Sequence, residues 1–258
     1  MTIDWQSTHA AVWRPRKGYL RGISHVDPIT LEQLVGIDEQ KQQLVRNTER
    51  FLNGSGANNA LLWGSRGTGK SSLIKGILNA YKHRGLRLIQ IDRNDLVELP
   101  EIVDEIRILN QSFIVFCDDM TFEQGDASYR ALKSVLDGSI EAPASNVLIY
   151  ATSNRRHLLP ESMAENQEAV LVGRDLHLGD TIEEKLALSD RFGLWLSFYP
   201  VNWEEYLRLI DHYFADYAGD RETLHVLAKQ FAMARGGTKS GRAALQFYKS
   251  YAEQGENP

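Results

Sequence analysis

The stretch Gly64-Ser65-Arg66-Gly67-Thr68-Gly69-Lys70-Ser71 constrains this 258-residue chain more than any other feature. It has the spacing GxxxxGK[ST], the pattern of a phosphate-binding loop. Glycines permit a tight turn whose consecutive backbone N–H groups curl around phosphate oxygens, and the helix that follows adds the positive end of its dipole. Lys70 is then placed to reach the β- and γ-phosphates, and the Ser71 hydroxyl to ligate Mg2+. The competing reading is a glycine-rich turn with an incidental lysine. Context argues against it: Ala60-Leu61-Leu62-Trp63 reads as a strand directly before the loop, and Ser72-Leu73-Ile74 opens a helix directly after. The candidate nucleotide-binding residues are therefore Gly64, Ser65, Arg66, Gly67, Thr68, Gly69, Lys70, Ser71 and Ser72.

Four further apolar runs have strand length: Leu86 to Ile91, Phe113 to Cys117, Val147 to Ala151 and Leu194 to Tyr199. They are too short and too uniformly apolar for amphipathic helices, so they read as strands buried on both faces. Helical patterns lie between most of them, at Ser71 to His83, about Pro100 to Leu109, and Ser128 to Leu136. Alternating strands and helices predict an α/β fold, a P-loop NTPase with a parallel five-stranded sheet flanked by helices. Before the first run, Asp38 to Leu52 has helical spacing and ends at Gly54-Ser55-Gly56. Thr30 and Gln33 have the spacing of a capping box. After Pro200 the strand signal stops, and Trp203 to Tyr217, Arg221 to Ala234 and Ser240 to Ala252 read as helices. The expected organisation is an irregular arm over 1–30, a nucleotide-binding domain over 31–200 and a small helical lid over 201–258.

Composition removes other classes. Apolar residues are 43% and charged residues 24%, ordinary for a globular chain, and the formal charge of −5 gives no case for wholesale nucleic-acid binding. The single cysteine, Cys117, excludes an intramolecular disulfide and a Cys-based zinc site. No apolar run approaches the roughly 20 residues of a membrane span. Met1 to Gln6 is polar, unlike a secretory leader. The expected location is the cytoplasm, without membrane contact. The seven histidines are scattered without ligand spacing.

A phosphate loop of this kind needs a carboxylate at the end of a neighbouring strand. Phe113-Ile114-Val115-Phe116-Cys117-Asp118-Asp119 supplies it. Asp118 is the candidate Mg2+ partner, since a hard cation prefers carboxylate oxygen, and it completes a metal set with Ser71. Asp119 stands where a base or water-orienting group belongs, with Glu123 as the alternative. A glutamate is more usual there, and the shorter aspartate predicts slow hydrolysis.

Three further segments resemble the AAA+ branch of P-loop proteins. Val147-Leu148-Ile149-Tyr150-Ala151-Thr152-Ser153-Asn154 is similar to the family's sensor-1 strand, which implies that Asn154 helps to position the attacking water. Leu188-Ser189-Asp190-Arg191-Phe192-Gly193 resembles the segment that presents an arginine finger to a neighbouring subunit, which implies that role for Arg191 ahead of Arg155 and Arg156. Gly241-Arg242-Ala243-Ala244 resembles sensor 2, where Arg242 would reach the γ-phosphate. Leu34-Val35-Gly36-Ile37-Asp38 lies where the family has a short motif near the adenine base. The resemblance covers about Val26 to Tyr251. Closer still, Val26-Asp27-Pro28, Gly36-Ile37-Asp38, Ser128 to Ser134 and Glu184 to Gly193 resemble a bacterial family of predicted AAA+ ATPases of unknown function.

The resemblance implies ATP as the nucleotide, Mg2+ as its cation, and a homo-oligomer, a ring or partial ring, with the site between subunits. No guanine-reading NKxD motif is present. Protein-threading relatives carry an aromatic and a glycine in the loop after the second core strand, and Asp92 to Pro100 has neither. A loader, remodelling or switch role on a protein client fits better. Two alternatives stay open: a nucleotide-gated binding module with negligible hydrolysis, and a nucleic-acid-directed ATPase. The second rests on Arg14, Arg16, Lys17 and Arg21, set among Trp13 and Tyr19 in the N-terminal arm. The other reading of the arm is that it packs on the chain's own sheet or on a neighbour.

Overall fold

The computed structural model describes residues 3–122, 127–137, 142–154 and 191–252, residue 252 by its backbone alone. Each of the five apolar runs forms a strand: β3 (Ala60–Gly64), β4 (Leu86–Ile91), β5 (Ser112–Cys117), β6 (Val147–Ser153) and β7 (Leu194–Phe198). They pair in parallel, as buried strands joined by crossovers do. The sheet, however, has seven strands, in the order β2-β1-β4-β5-β6-β3-β7.

The two additional strands come from the segment expected to be an irregular arm. β1 (Ala10–Arg14) pairs in parallel with β4, and β2 (Tyr19–Gly22) returns antiparallel along β1 through a short turn at Pro15–Lys17. Gly18, at φ +58, closes the turn in a conformation that glycine adopts freely. What holds the segment is partly Arg87. Its guanidinium is buried under the N-terminal turn, where Nε donates to the carbonyl of Trp5 at 2.7 Å and Nη1 to those of Leu86 at 2.8 Å and Lys82 at 3.0 Å. Burial lowers its pKa, and the carbonyls satisfy the charge that burial would otherwise strand. Trp5 stacks edge-on against Phe113 at 5.0 Å.

Two core layers cover the sheet. On one face α1 (Asp38–Leu52) and α2 (Lys70–Tyr81) bury Leu44, Phe51, Leu73, Ile74 and Ile77 against β3, β4 and β6. The buried Tyr150 hydroxyl ties α1 to β6 through Asn47 at 3.1 Å and Thr48 at 2.9 Å, and burial raises its pKa to about 12. On the other face α3 (Leu99–Ile106) and α4 (Ala127–Asp137) pack with Trp5, Trp13 and Leu20. The Thr30/Gln33 spacing makes half of its expected contact, Thr30 N to Gln33 Oε1 at 3.0 Å, but no α-helix follows until Asp38.

Three C-terminal helices form a third cluster of their own: α5 (Trp203–Tyr213), α6 (Arg221–Ala234) and α7 (Gly241–Ala252). Asn202 and Glu205 close a reciprocal capping box on α5, and the Asp220 carboxylate caps α6. Aromatic rings fill the cluster, with Phe214 against Tyr217, Phe247, Tyr248 and Tyr251.

Candidate nucleotide site

The three loop glycines are each required for a different reason. Gly64 stands at φ +130 against β7, where a Cβ would lie 2.0 Å from the Phe198 carbonyl oxygen, while Ser65 N donates to that oxygen at 2.9 Å. Gly67, at φ +76, seats the start of α7: a Cβ would meet Ser240 Oγ at 2.9 Å and Arg242 Cβ at 3.3 Å. Gly69, at φ +98, is the N-cap of α2 and makes no side-chain cap. The first-turn N–H groups of α2 therefore lack intrahelical acceptors, and no acidic side chain occupies that turn. This is the chemistry of an anion site.

Lys70 is buried within the turn. Its Nζ donates to the carbonyls of Gly64 and Ser65, both at 2.7 Å, and to Asn154 Oδ1 at 3.4 Å. Burial pushes the ammonium pKa down, Asp118 and Asp119 counter it, and Arg242 and Arg66 add to the depression. A phosphate beside Nζ would reverse that penalty.

Asp118 and Asp119 follow β5 at the same rim. One expectation needs correction: β5 does not neighbour the loop strand, because β6 lies between them. The inserted strand supplies the link. Thr152, buried near the end of β6, donates from Oγ1 to Asp118 Oδ1 at 2.5 Å and accepts from Asp119 N at 2.9 Å. Its carbonyl accepts from Met120 N at 2.7 Å. Thr152 thus ties the turn at both ends of Asp119, whose φ of +54 is the only positive value among the described non-glycine residues. Aspartate tolerates this region better than most side chains, yet such a conformation persists only where its surroundings impose it. Sequence reasoning missed Thr152, because a threonine in an apolar strand looks like any β-former.

Ser71 Oγ donates to the same Asp118 oxygen at 2.7 Å. Hydroxyl and carboxylate oxygens side by side are a donor set for a hard cation, and the residues present fit Mg2+ completed by phosphate and water oxygens. Among the described residues no group of three or more His, Cys, Asp or Glu side chains offers a different metal site. Asn154 Nδ2 donates to Asp119 Oδ1, and Arg66 stands 3.9 Å from the same carboxylate with both side chains largely exposed, a weak pair.

These groups line a cavity of about 580 Å3. Arg66 through Ser72, Asp118, Asp119, Thr152, Asn154 and Arg242 supply its polar lining. Leu34, Val35 and Ile37, with Val201, Leu209, Tyr213 and Leu245 from the helical cluster, add apolar lining. The volume and the mixed polar and apolar lining suit a nucleotide. Arg242 N donates to the Gly67 carbonyl at 3.3 Å, so the loop and α7 are in direct contact. A second cavity of about 200 Å3, between α3, α4 and β6, does not reach the loop.

Arg191 does not line the 580 Å3 cavity and pairs with Asp137 at the end of α4. Glu123, Arg155 and Arg156 lie outside the described residues.

The sheet, the phosphate loop and the helical cluster together make an α/β fold that several solved structures share. The structure is similar to the Thermotoga maritima RuvB Holliday junction branch migration motor at 16% identity and a TM-score of 0.54, covering 87% of this chain and 64% of that one. It is also similar to a replication initiator DnaA bound to AMPPCP and single-stranded DNA, at 18% identity and a TM-score of 0.55, covering 89% of this chain and 66% of that one. A DNA replication initiation factor matches at 19% identity and a TM-score of 0.53, over 90% of this chain and 67% of that one. The chain thus spans slightly less than two thirds of the branch migration motor. No curated protein matches it significantly. The chain belongs to the family described as "Protein of unknown function (DUF815)", whose model matches residues 6–255.

Proposed function

We propose that the chain is an ATPase that binds ATP with Mg2+ between the phosphate loop and the C-terminal helices, and that a second copy completes the site. The observation that carries this reading is the convergence of Lys70, Ser71, Asp118, Asp119, Asn154 and Arg242 on one cavity that apolar side chains also line. In it, the α2 N-terminus and Lys70 hold the β- and γ-phosphates. Ser71 and Asp118 hold Mg2+, which supplies charge neutralisation on the phosphate oxygens. Asp119 accepts a proton from the attacking water or orients it, and Asn154 fixes the carboxylate that does so. Arg242 couples the phosphates to α7. Residues 31–200 then act as the nucleotide-binding body and 201–258 as a lid whose position reports the nucleotide state.

Arg191 is assigned to the neighbouring subunit's site in a homo-oligomeric ring or partial ring, where a trans arginine is worth about 10³-fold or more in turnover. The work done is loading, remodelling or switching of a protein client in the cytoplasm. Test by measuring ATP turnover against protein concentration, with light-scattering mass on the same samples. Specific activity should rise as assembly proceeds and fall about 10³-fold in Arg191→Ala, with ATP binding retained. Specific activity independent of concentration, or an active Arg191→Ala, would remove the shared site.

A second reading, a nucleotide-gated module with negligible hydrolysis, is favoured by Asp119 itself. Its carboxylate is one methylene short of a glutamate and already engaged by Asn154. Turnover well above background that is lost in Asp119→Asn would exclude it.

A further inference from the structure

The basic residues of the N-terminal hairpin are not used by the nucleotide site. From His9 to Val26 the chain carries Arg14, Arg16, Lys17 and Arg21 and no acidic residue, within a protein whose formal charge is −5. Register places these cations. Val12 pairs with Arg21 and Arg14 with Tyr19 across β1 and β2, and Val12 also faces Gln90 on β4. Directly opposed residues share a face, as do residues two apart along a strand. Val12, Arg14, Tyr19, Arg21 and Gln90 therefore stand on one face, while Trp13 and Leu20 turn to the opposite face and are buried in its core.

That face is the one which α1 and α2 cover further along the sheet, since Ala10 and Leu88, in step with Val12 and Gln90, belong to their core. At the hairpin the cover ends: Arg14, Arg21 and Gln90 are exposed, Val12 and Tyr19 half-buried. Arg16 and Lys17 extend the charge onto the exposed turn, which buries no residue. Among the described residues no carboxylate lies within ion-pair distance of these four cations. β1 runs parallel to β4, so the turn after it reaches the same rim of the sheet as the phosphate loop.

We propose that this open face and its turn bind a single-stranded nucleic acid. Four cations without carboxylate partners take backbone phosphates, and Tyr19, flanked by Arg14 and Arg21, offers a ring edge or face to a base. An open sheet face with an exposed basic turn suits a flexible strand, whose unpaired bases can reach Tyr19. The assignment is independent of ATP hydrolysis, because none of these residues touches the nucleotide cavity.

The test is fluorescence anisotropy of labelled dT20 with the full chain, from 50 to 300 mM KCl. A labelled 20-base-pair duplex and a labelled polyglutamate serve as alternative probes. Binding of dT20 should weaken with salt with a log–log slope of about −3, from about 0.7 per phosphate contact for single strands and four contacts. Arg16→Glu/Lys17→Glu, on the turn, should weaken it at least about tenfold, against less than about twofold for the charge-matched Lys229→Glu/Lys249→Glu. ATP turnover without nucleic acid should stay unchanged in both variants. As a readout on the unaltered chain, photocrosslinking to 4-thiothymidine-substituted dT20 should label the peptide spanning Arg14 to Arg21. Salt-insensitive or undetectable dT20 binding, equal loss in the control variant, crosslinks elsewhere, or tighter binding of the duplex or polyglutamate would each overturn the proposal.

Discussion

Lys70 and the hairpin cations Arg14, Arg16, Lys17 and Arg21 stand at the same rim of one sheet in opposite surroundings. Lys70 is buried, held by two carbonyls at 2.7 Å, and its charge is penalised by that burial. The hairpin cations are exposed and make no ion pair among the described residues. The first arrangement prepays the orientation of its group and leaves it poorly solvated, so an anion that fits gains a strong, geometry-dependent contact. The second costs nothing to maintain and attracts any polyanion weakly and in a salt-dependent way. Positive charge thus yields a fixed site in one place and a diffuse one in the other. The difference comes from the backbone around it.

That contrast can be broken at several points. Asp119→Asn, which keeps the Asn154 and Thr152 contacts near isosteric but removes a proton acceptor, should lower ATP turnover about 10²-fold and leave ATP binding within about twofold. Single-turnover measurements beside equilibrium binding separate the two effects. If both fell together, the carboxylate would be holding the site together and not acting on water.

Thr152→Val tests whether the fixed site owes its geometry to the inserted strand. It removes a bond to the Asp118 carboxylate and strands Asp119 N, so turnover and Mg2+ dependence should both worsen about tenfold. Thr152→Ser, which keeps the hydroxyl, should restore most of the loss. An active valine variant would show that Asp119 holds its φ of +54 without help.

The smaller effects concern stability. Because burial depresses the Lys70 pKa, the unfolded chain binds more protons than the folded one between that depressed value and the ordinary lysine range. The Lys70 contribution to stability therefore rises with pH through that window, and its charge destabilises the nucleotide-free fold below it. Lys70→Met should flatten the rise of the Tm of the nucleotide-free protein with alkaline pH. Arg16→Ala/Lys17→Ala, on the exposed turn, should shift Tm by less than about 1 °C in the same calorimetric scans.

Legibility in the sequence followed the same division. β3, β5 and β6 were readable because each is largely buried on both faces and so is a continuous apolar run, while β4 and the edge strand β7 keep enough apolar residues to show the same signal. β1 and β2 were not, because one of their faces is open and carries Arg14, Tyr19 and Arg21, which broke the pattern. Arg87 anchors the Trp5 turn, a contact between residues far apart in the chain that no local pattern encodes. The phosphate loop and Asp118 were legible because their spacing is set by local backbone geometry. Thr152 was not, since its role depends on β6 lying between β5 and β3, an order that no local pattern encodes.

The most direct measurement of the central claim is a calorimetric titration of ATP into the full chain with and without Mg2+, repeated with Lys70→Ala. The account predicts saturable binding at one site per chain, tightened by Mg2+. It also predicts a loss on the order of 10²-fold in affinity for the alanine variant, from contacts to a charged group worth about 1.5–3 kcal/mol each. Binding of equal strength in Lys70→Ala, or binding indifferent to Mg2+, would contradict it.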